Sequence, residues 1–410
     1  GNDIFDDQSV TRSTSRRVHI FDNEKEDNQL LHLSDSKDKR SVHPEYNLYN
    51  RKGSHYKPNF LSSWPALAFN PDDKLLLGLL GTYTQYGKRK EPFAARHEFN
   101  GTVSLNNSGF RGYYQGDFSE IVGRWGLRFK VLGQTSLYAT NFYGLGNYTV
   151  NREDEFSLDY HRVRREDFRT DLQLRWSRNQ QFSFLVGPRI HRYNVTRRAG
   201  TLLDELSDNL SGDLFENLLF VDLNAQLRYS NVDQLTFPTS GLNFELAASH
   251  YEQLDGTTFS FLAVNSKLSF YAQLDRTGRL VLGTQVGFQH RFSEDFPFFL
   301  AADLSGAGPL ANLRGFRRNR FLGQTAFHQN TDLRWKIGTW RNRLMPVAYG
   351  LTASFDYGRV WLAEEEMDGL HYSYGGGCFV SPFNLLTIHL GAYHGDGENW
   401  RFLAGSKFFF

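Results

Sequence analysis

The chain has 410 residues, with 46 Lys and Arg against 45 Asp and Glu, 15% aromatic residues, 37 glycines, two methionines and one cysteine. That charge balance excludes a generally basic nucleic-acid binder, which needs surplus cations to displace counterions from phosphates, and the lone Cys378 supports neither an internal disulfide nor a zinc cluster. The longest apolar runs, "LLLGLL" at 75–80 and "FPFFLAA" at 296–302, fall far short of the roughly 18–20 residues a membrane helix requires, which excludes a helical membrane protein.

Gly1 opens a polar, acidic stretch with no signal-peptide core, so the chain reads as a mature product or a fragment. Residues 1–60 are rich in charge and poor in apolar periodicity, and read as a polar linker or extended N-terminal segment. "SSWPALAFNPDD" at 62–73 reads as an anchor before the first strand. From Leu75 the pattern changes to period-2 alternation. Leu280, Leu282, Val286 and Phe288 oppose Gly283, Gln285, Gly287 and Gln289. Phe327, Leu333, Trp335 and Ile337 oppose His328, Asn330, Asp332, Arg334 and Lys336. Val347, Tyr349, Leu351, Phe355 and Tyr357 oppose Gly350, Thr352, Ser354, Asp356 and Gly358. Such strands carry one apolar and one polar face, so a mean hydropathy of −0.51 conceals a lipid-facing surface.

Segments of this kind are expected at 75–86, 93–106, 109–120, 122–135, 157–166, 168–178, 181–195, 217–230, 240–252, 257–275, 278–293, 323–339, 344–361, 369–381, 383–394 and 398–410. The fold class is therefore all-β: a transmembrane antiparallel β-barrel of about 16 strands over residues 61–410, with aromatic side chains near strand ends. "NNSG", "RNQQ", "FPTSG", "DRTG" and "SPFN" are tight turns, whereas the links near 196–216, 294–322 and 361–369 are long, the asymmetry of an outer-membrane barrel. The link at 136–156 falls on the short side and breaks that rule.

The long connection between strands 11 and 12 carries "NLRGFRRNR", residues 312–320. Gly315 frees the backbone for a tight or left-handed turn and Phe316 supplies an apolar anchor. Composition alone favours a solvated basic loop. Asp332 and Asp356, however, lie on the inward parity of the next two strands, where a carboxylate could hold an inward-folded arginine in bidentate geometry.

With these pieces in place the chain from about residue 217 resembles the bacterial surface antigen superfamily of outer-membrane barrels, the group of the insertase BamA, its relative TamA and the FhaC-like two-partner secretion transporters. The resemblance rests on "DQLTFPTSGLNFEL" (233–246), "LRGF" (313–316), "NTDLRW" (330–335), "FDYGRVW" (355–361) and an aromatic strand ending in Phe410. "PDDKLLLGLLGTYTQYGKRKEPF" (71–93) and "NFYGLGN" (141–147) are similar to the subset fused to an N-terminal calcineurin-like phosphoesterase domain. The resemblance implies sixteen strands and a long loop folded into the lumen, with Arg314 as the lumenal arginine of the motif Arg314, Gly315 and Phe316. It makes Asp356 the main acidic partner of Arg314 and Asp332 the second, and places Phe410 in the C-terminal signal for barrel assembly. It also implies a weak seam between the first and last strands, at which proteins are inserted or exported. One departure from the pattern is that residues 1–60 read as too short and too polar to be a POTRA repeat.

"HGDGEN" (394–399) and "DNEKEDN" (22–28) read as a turn and a solvated tail rather than metal sites. "YGLGN" (143–147) lacks the helix and Lys-Ser/Thr of a phosphate cradle. Phosphoesterase metal motifs and a Ser/His/Asp arrangement are absent from the sequence, so no catalytic site, metal or cofactor is expected, and any catalytic domain would lie upstream. Arg317, Arg318 and Arg320 keep the solvated reading. The expected location is the outer membrane of a Gram-negative cell, with outer-membrane lipid, lipopolysaccharide, client proteins or complex subunits as partners and no nucleic acid. Two other functions stay open: an anchor or export barrel for an upstream metallophosphoesterase, and a passive porin-like channel.

Overall fold

The alternation resolves, in a computed structural model, into long antiparallel strands whose inner faces are polar and whose outer faces are apolar. The structure describes residues 3–6, 19–20, 27–31, 37–38, 58–70, 73–86, 90, 92–138, 140–178, 181–210, 214–256, 259–305, 312–341, 345–363, 365, 369–384, 386–405, 408 and 410. The chain divides into two units, residues 1–60 with 84–94, and residues 61–83 with 95–410. In the first, Ile4–Asp6 pairs in parallel with Gln29–Leu31, and His19–Ile20 with Lys37–Asp38.

Among the described residues, sixteen strands of five residues or more make up the main sheet: β1 (Phe60–Asn70), β2 (Lys74–Gln85), β3 (Ala95–Ser104), β4 (Phe110–Val122), β5 (Trp125–Gln134), β6 (Arg162–Arg178), β7 (Phe182–Thr196), β8 (Asn217–Ser230), β9 (Gly241–Gln253), β10 (Ser260–Gln273), β11 (Leu280–Arg291), β12 (Thr325–Arg341), β13 (Pro346–Trp361), β14 (His371–Pro382), β15 (Ile388–Gly395) and β16 (Arg401–Gly405). Each lies beside its neighbours in sequence, and β16 lies beside β1, so the hydrogen-bonded order returns to its start. Such an order leaves no long open edge, which is what a sheet surrounded by lipid requires.

Burial follows the phase of the sequence. On β13, Ala348, Gly350, Thr352, Ser354, Asp356, Gly358 and Val360 are buried, while Tyr349, Leu351 and Phe355 are exposed on the other face. On β12, His328, Asn330, Asp332 and Arg334 are buried and Leu333, Trp335 and Ile337 exposed. The parity shifts once, at a bulge between Lys336 and Gly338, after which Thr339 and Arg341 continue the inner face.

Two differences from expectation change the strand count, and they compensate. Phe60–Asn70 is a strand rather than the end of a linker and an anchor; Pro65 in mid-run and exposure of most of its side chains hide the alternation. Segments 157–166 and 168–178 are one strand, β6, preceded by helical turns at Glu153–Phe156 and Leu158–Tyr160. The Arg-Glu-Asp run that suggests a turn is a strand whose inner positions pair along their own length: Arg165 Nε donates to Asp167 at 2.7 Å, and Arg169 lies 3.0 Å from Asp171. With both changes the connection 135–161 moves to the long-loop end, and its exception to the turn rule disappears.

At that end the connections 135–161, 197–216 and 292–324 bury one apolar cluster against the strands, with Phe142, Leu203, Leu214, Phe298 and Leu322 from these loops and Phe259 from the β9–β10 connection meeting Tyr193, Phe220 and Phe261. Each fully buried aromatic contributes roughly 1.5–3 kcal/mol. That is enough, taken together, to hold the loops in place rather than leave them in solvent.

Candidate functional site

The sequence 312–320 sits where β12, β13 and β14 present polar inner faces. Arg314 is 1% exposed. Its Nε donates to Asp356 Oδ2 at 2.8 Å, its Nη2 donates to Asp356 Oδ1, and its Nη1 donates to Asp332 Oδ1 at 2.6 Å. Ser354 donates to Asp332 at 2.8 Å and Ser373 to Asp356 at 3.2 Å, filling further lone pairs. Arg334 donates to Asp332 Oδ2 at 3.1 Å, so two guanidinium groups face two carboxylates and the cluster is neutral. The Tyr393 ring lies 5.1 Å from the Arg314 guanidinium. A planar fork meeting a carboxylate in two places is the geometry in which a buried charge is best compensated.

Gly315 does not take a positive φ, so the left-handed turn is not its reason. A Cβ there would lie 2.4 Å from the Gly395 nitrogen; glycine is required because two backbones meet. Phe316 is buried with Leu304, Leu313, Phe321 and Val360, its ring 5.2 Å from that of Phe321.

The other three arginines are not solvated, which corrects the expectation. Arg317 Nη2 donates to Glu153 Oε2 at 2.6 Å. Arg320 donates from Nε to Glu398 Oε1 and from Nη2 to the Thr149 carbonyl, both at 2.8 Å. Arg318 lies 3.8 Å from Asp73 and 5.7 Å from the Tyr138 ring. Their partners stand in the β1–β2, β5–β6 and β15–β16 connections, far away in sequence, where no local pattern reveals them. Glu398, within the stretch read as a plain turn, also accepts from Asn151 at 3.0 Å and Arg401 at 3.0 Å. Burial pushes the Glu153 carboxyl up, but the hydrogen bonds and charge of Arg317 outweigh it and hold the group below its usual range.

"YGLGN" joins the same lock. Asn147 donates to the Val360 carbonyl and to Glu365, each at 2.8 Å, and its backbone N–H donates to Glu365 at 2.6 Å. Gly146, at φ +96°, leaves room for that carboxylate; a Cβ would lie 2.5 Å from Glu365 Oε1. Among the described residues no group of His, Cys, Asp and Glu could hold a metal. Most of "DNEKEDN" lies outside the described residues.

Phe410 is not in the last strand, which ends at Gly405 rather than continuing to 410. Its carbonyl accepts from Arg334 at 2.9 Å and its ring stacks on Tyr271 at 6.5 Å. Phe408 is buried against Phe379 and Phe237, and lies 4.3 Å from the Arg334 guanidinium. Phe408 and Phe410 thus lie on the inner face, and Arg334 links them to the arginine cluster.

Residues 86–408 match the model of the Omp85 superfamily domain. Among solved structures the chain is similar to BamA from Haemophilus ducreyi lacking POTRA domains 1–3, at 12% identity and a TM-score of 0.60, covering 84% of this chain and 70% of that one. It is also similar to CdiB from Escherichia coli, at 12% identity and a TM-score of 0.55, covering 85% of this chain and 64% of that one. At these identities the likeness is one of fold. No curated protein matches the sequence.

Proposed function

The chain belongs to the Omp85 superfamily of outer-membrane β-barrels, and from that membership we propose that it inserts proteins into the outer membrane, or moves them across it, through a seam between β1 and β16. The length of the last strand carries this reading. β16 has five residues and pairs with β15 at five positions, whereas β1 has eleven residues and β12 pairs with β13 at sixteen positions. At about 0.5–1.5 kcal/mol net per hydrogen bond, parting β1 from so short a partner costs on the order of a few kcal/mol, roughly a third of the cost between β12 and β13. An opened β1 edge offers backbone donors and acceptors that an incoming strand satisfies.

In this reading Arg314, held by Asp356 and Asp332, is the fixed inner pin against which the seam moves. Phe410, proposed as part of the terminal assembly signal, is held against Arg334 in the folded barrel. The outward apolar face meets lipid and lipopolysaccharide, and client proteins arrive from the short-turn end.

A disulfide lock tests the seam. In a Cys378→Ala background, Leu403→Cys is combined in turn with Ser62→Cys, Trp64→Cys and Ala66→Cys, to sample the register. In proteoliposomes, the variant that cross-links is expected to lose insertion of a urea-unfolded barrel client and to regain it on reduction. A locked barrel that remains fully active contradicts the seam, and steady conductance unaffected by the lock, with no client insertion by the parent, favours the porin-like channel.

A further inference from the structure

At the end opposite the arginine loop, the β8–β9 and β10–β11 turns and the last residues of β12 enclose a cavity of about 670 Å³. Arg276, Arg279, Lys336 and Arg341 line it, with Asp233 the one acid among the lining residues. Asp233 is committed to its own turn, accepting from the Thr239 N–H at 2.9 Å, the Thr239 hydroxyl at 2.6 Å and the Ser240 N–H at 3.2 Å. None of the four cations forms an ion pair among the described residues. Four like charges around one concavity raise its energy, and low-dielectric walls focus their field on whatever enters.

Part of the cavity's lining lies on the inward parity of β12. Lys336 and Thr339 pair with Gly350 and Ala348, on the buried parity of β13, and Arg341 follows Thr339 on that parity. Phe237, another lining residue, is buried against Phe379 and Phe408. A phospholipid headgroup would be met on the outward face, whereas Lys336 and Arg341 lie on the inward parity of β12.

We infer that this cavity is a docking site for an acidic polypeptide segment, its carboxylates held by Arg276, Arg279, Lys336 and Arg341. The inference deepens, and rests on, the reading of the ring as a barrel that handles client proteins. Guanidinium forks suit carboxylates in two-point contact, and short turns mark the periplasmic end of outer-membrane barrels, where clients arrive.

The test uses the full chain in detergent with fluorescein-labelled deca-glutamate, read by anisotropy, and needs no insertion activity. Saturable binding is expected, at least tenfold weaker in the Arg276→Gln/Arg279→Gln/Lys336→Gln/Arg341→Gln variant and at high salt, with no binding of deca-lysine. If the quadruple variant does not fold, the Arg276→Gln/Arg279→Gln and Lys336→Gln/Arg341→Gln doubles are each expected to weaken binding several-fold. Equal affinity in the folded variants overturns the proposal, as does binding of glycerophosphoglycerol in place of deca-glutamate, which would make this a lipid-headgroup site. Peptide binding without client insertion would sink the proposed function instead, and client insertion without peptide binding would sink only this site.

Discussion

The two ends of the sixteen-stranded ring use the same residue type in opposite ways. At the long-loop end Arg314, Arg317, Arg318 and Arg320 each face a carboxylate, and the partners come from β12, β13 and three separate connections. At the short-turn end Arg276, Arg279, Lys336 and Arg341 share a cavity with one acid already bound by its own turn. Where partners are buried and fixed, an arginine is structural, and removing it strands a charge. Where none is present among the described residues, the cation is available to a ligand, and removing it costs the fold little.

Substitutions should separate the two ends by size of effect. Arg314→Ala leaves Asp356 and Asp332 without their main partner and is expected to cost about 3–5 kcal/mol in urea unfolding. Arg314→Asp should be worse, and adding Asp356→Arg should recover part of the loss; independence of the two changes would break the pairing. Gly146→Ala forces a side chain into a left-handed backbone beside Glu365 and should cost about 1–2 kcal/mol or more, measured the same way.

The long-loop end should also answer to pH. The Glu153 carboxyl is depressed in the folded state by Arg317, so its stabilisation is complete above the unfolded value of about 4.3 and fades as pH falls through the lower folded value. Urea midpoints between pH 7 and pH 3 should therefore fall more steeply for the parent than for Glu153→Gln. Equal slopes would show that the Arg317 pair adds nothing. The smallest effect belongs to the short-turn end, where Lys336→Gln/Arg341→Gln should change stability by no more than about 0.5 kcal/mol. A larger loss would mean that these cations are structural after all.

The contrast also explains which parts were legible in the sequence. Period-2 alternation gave the phase of β11, β12 and β13 directly, because lipid on one side and a polar interior on the other impose it residue by residue. It failed at β1, where Pro65 interrupts the run, and at β6, where paired charges on the inner face imitate a turn. The expected total of sixteen still agrees, because β1 is absent from the expected segments and β6 is expected as two. Asp332 and Asp356 could be placed on the inner face from parity alone. Glu153, Glu398 and Asp73 could not, since each meets its arginine only after the loops have packed, and an acidic residue in a connection ordinarily signals solvent. Phe410 carried an aromatic signal that fits a strand end, but its ring is held by Arg334 and Tyr271 on the inner wall.

The seam is tested most directly by amide hydrogen exchange on the folded barrel, compared strand by strand. The account predicts that amides of β1 and β16 exchange at least tenfold faster than those of β12 and β13, where sixteen paired positions and the Arg314 pin hold the sheet. Protection as strong at β1 and β16 as at β12 and β13 would contradict it.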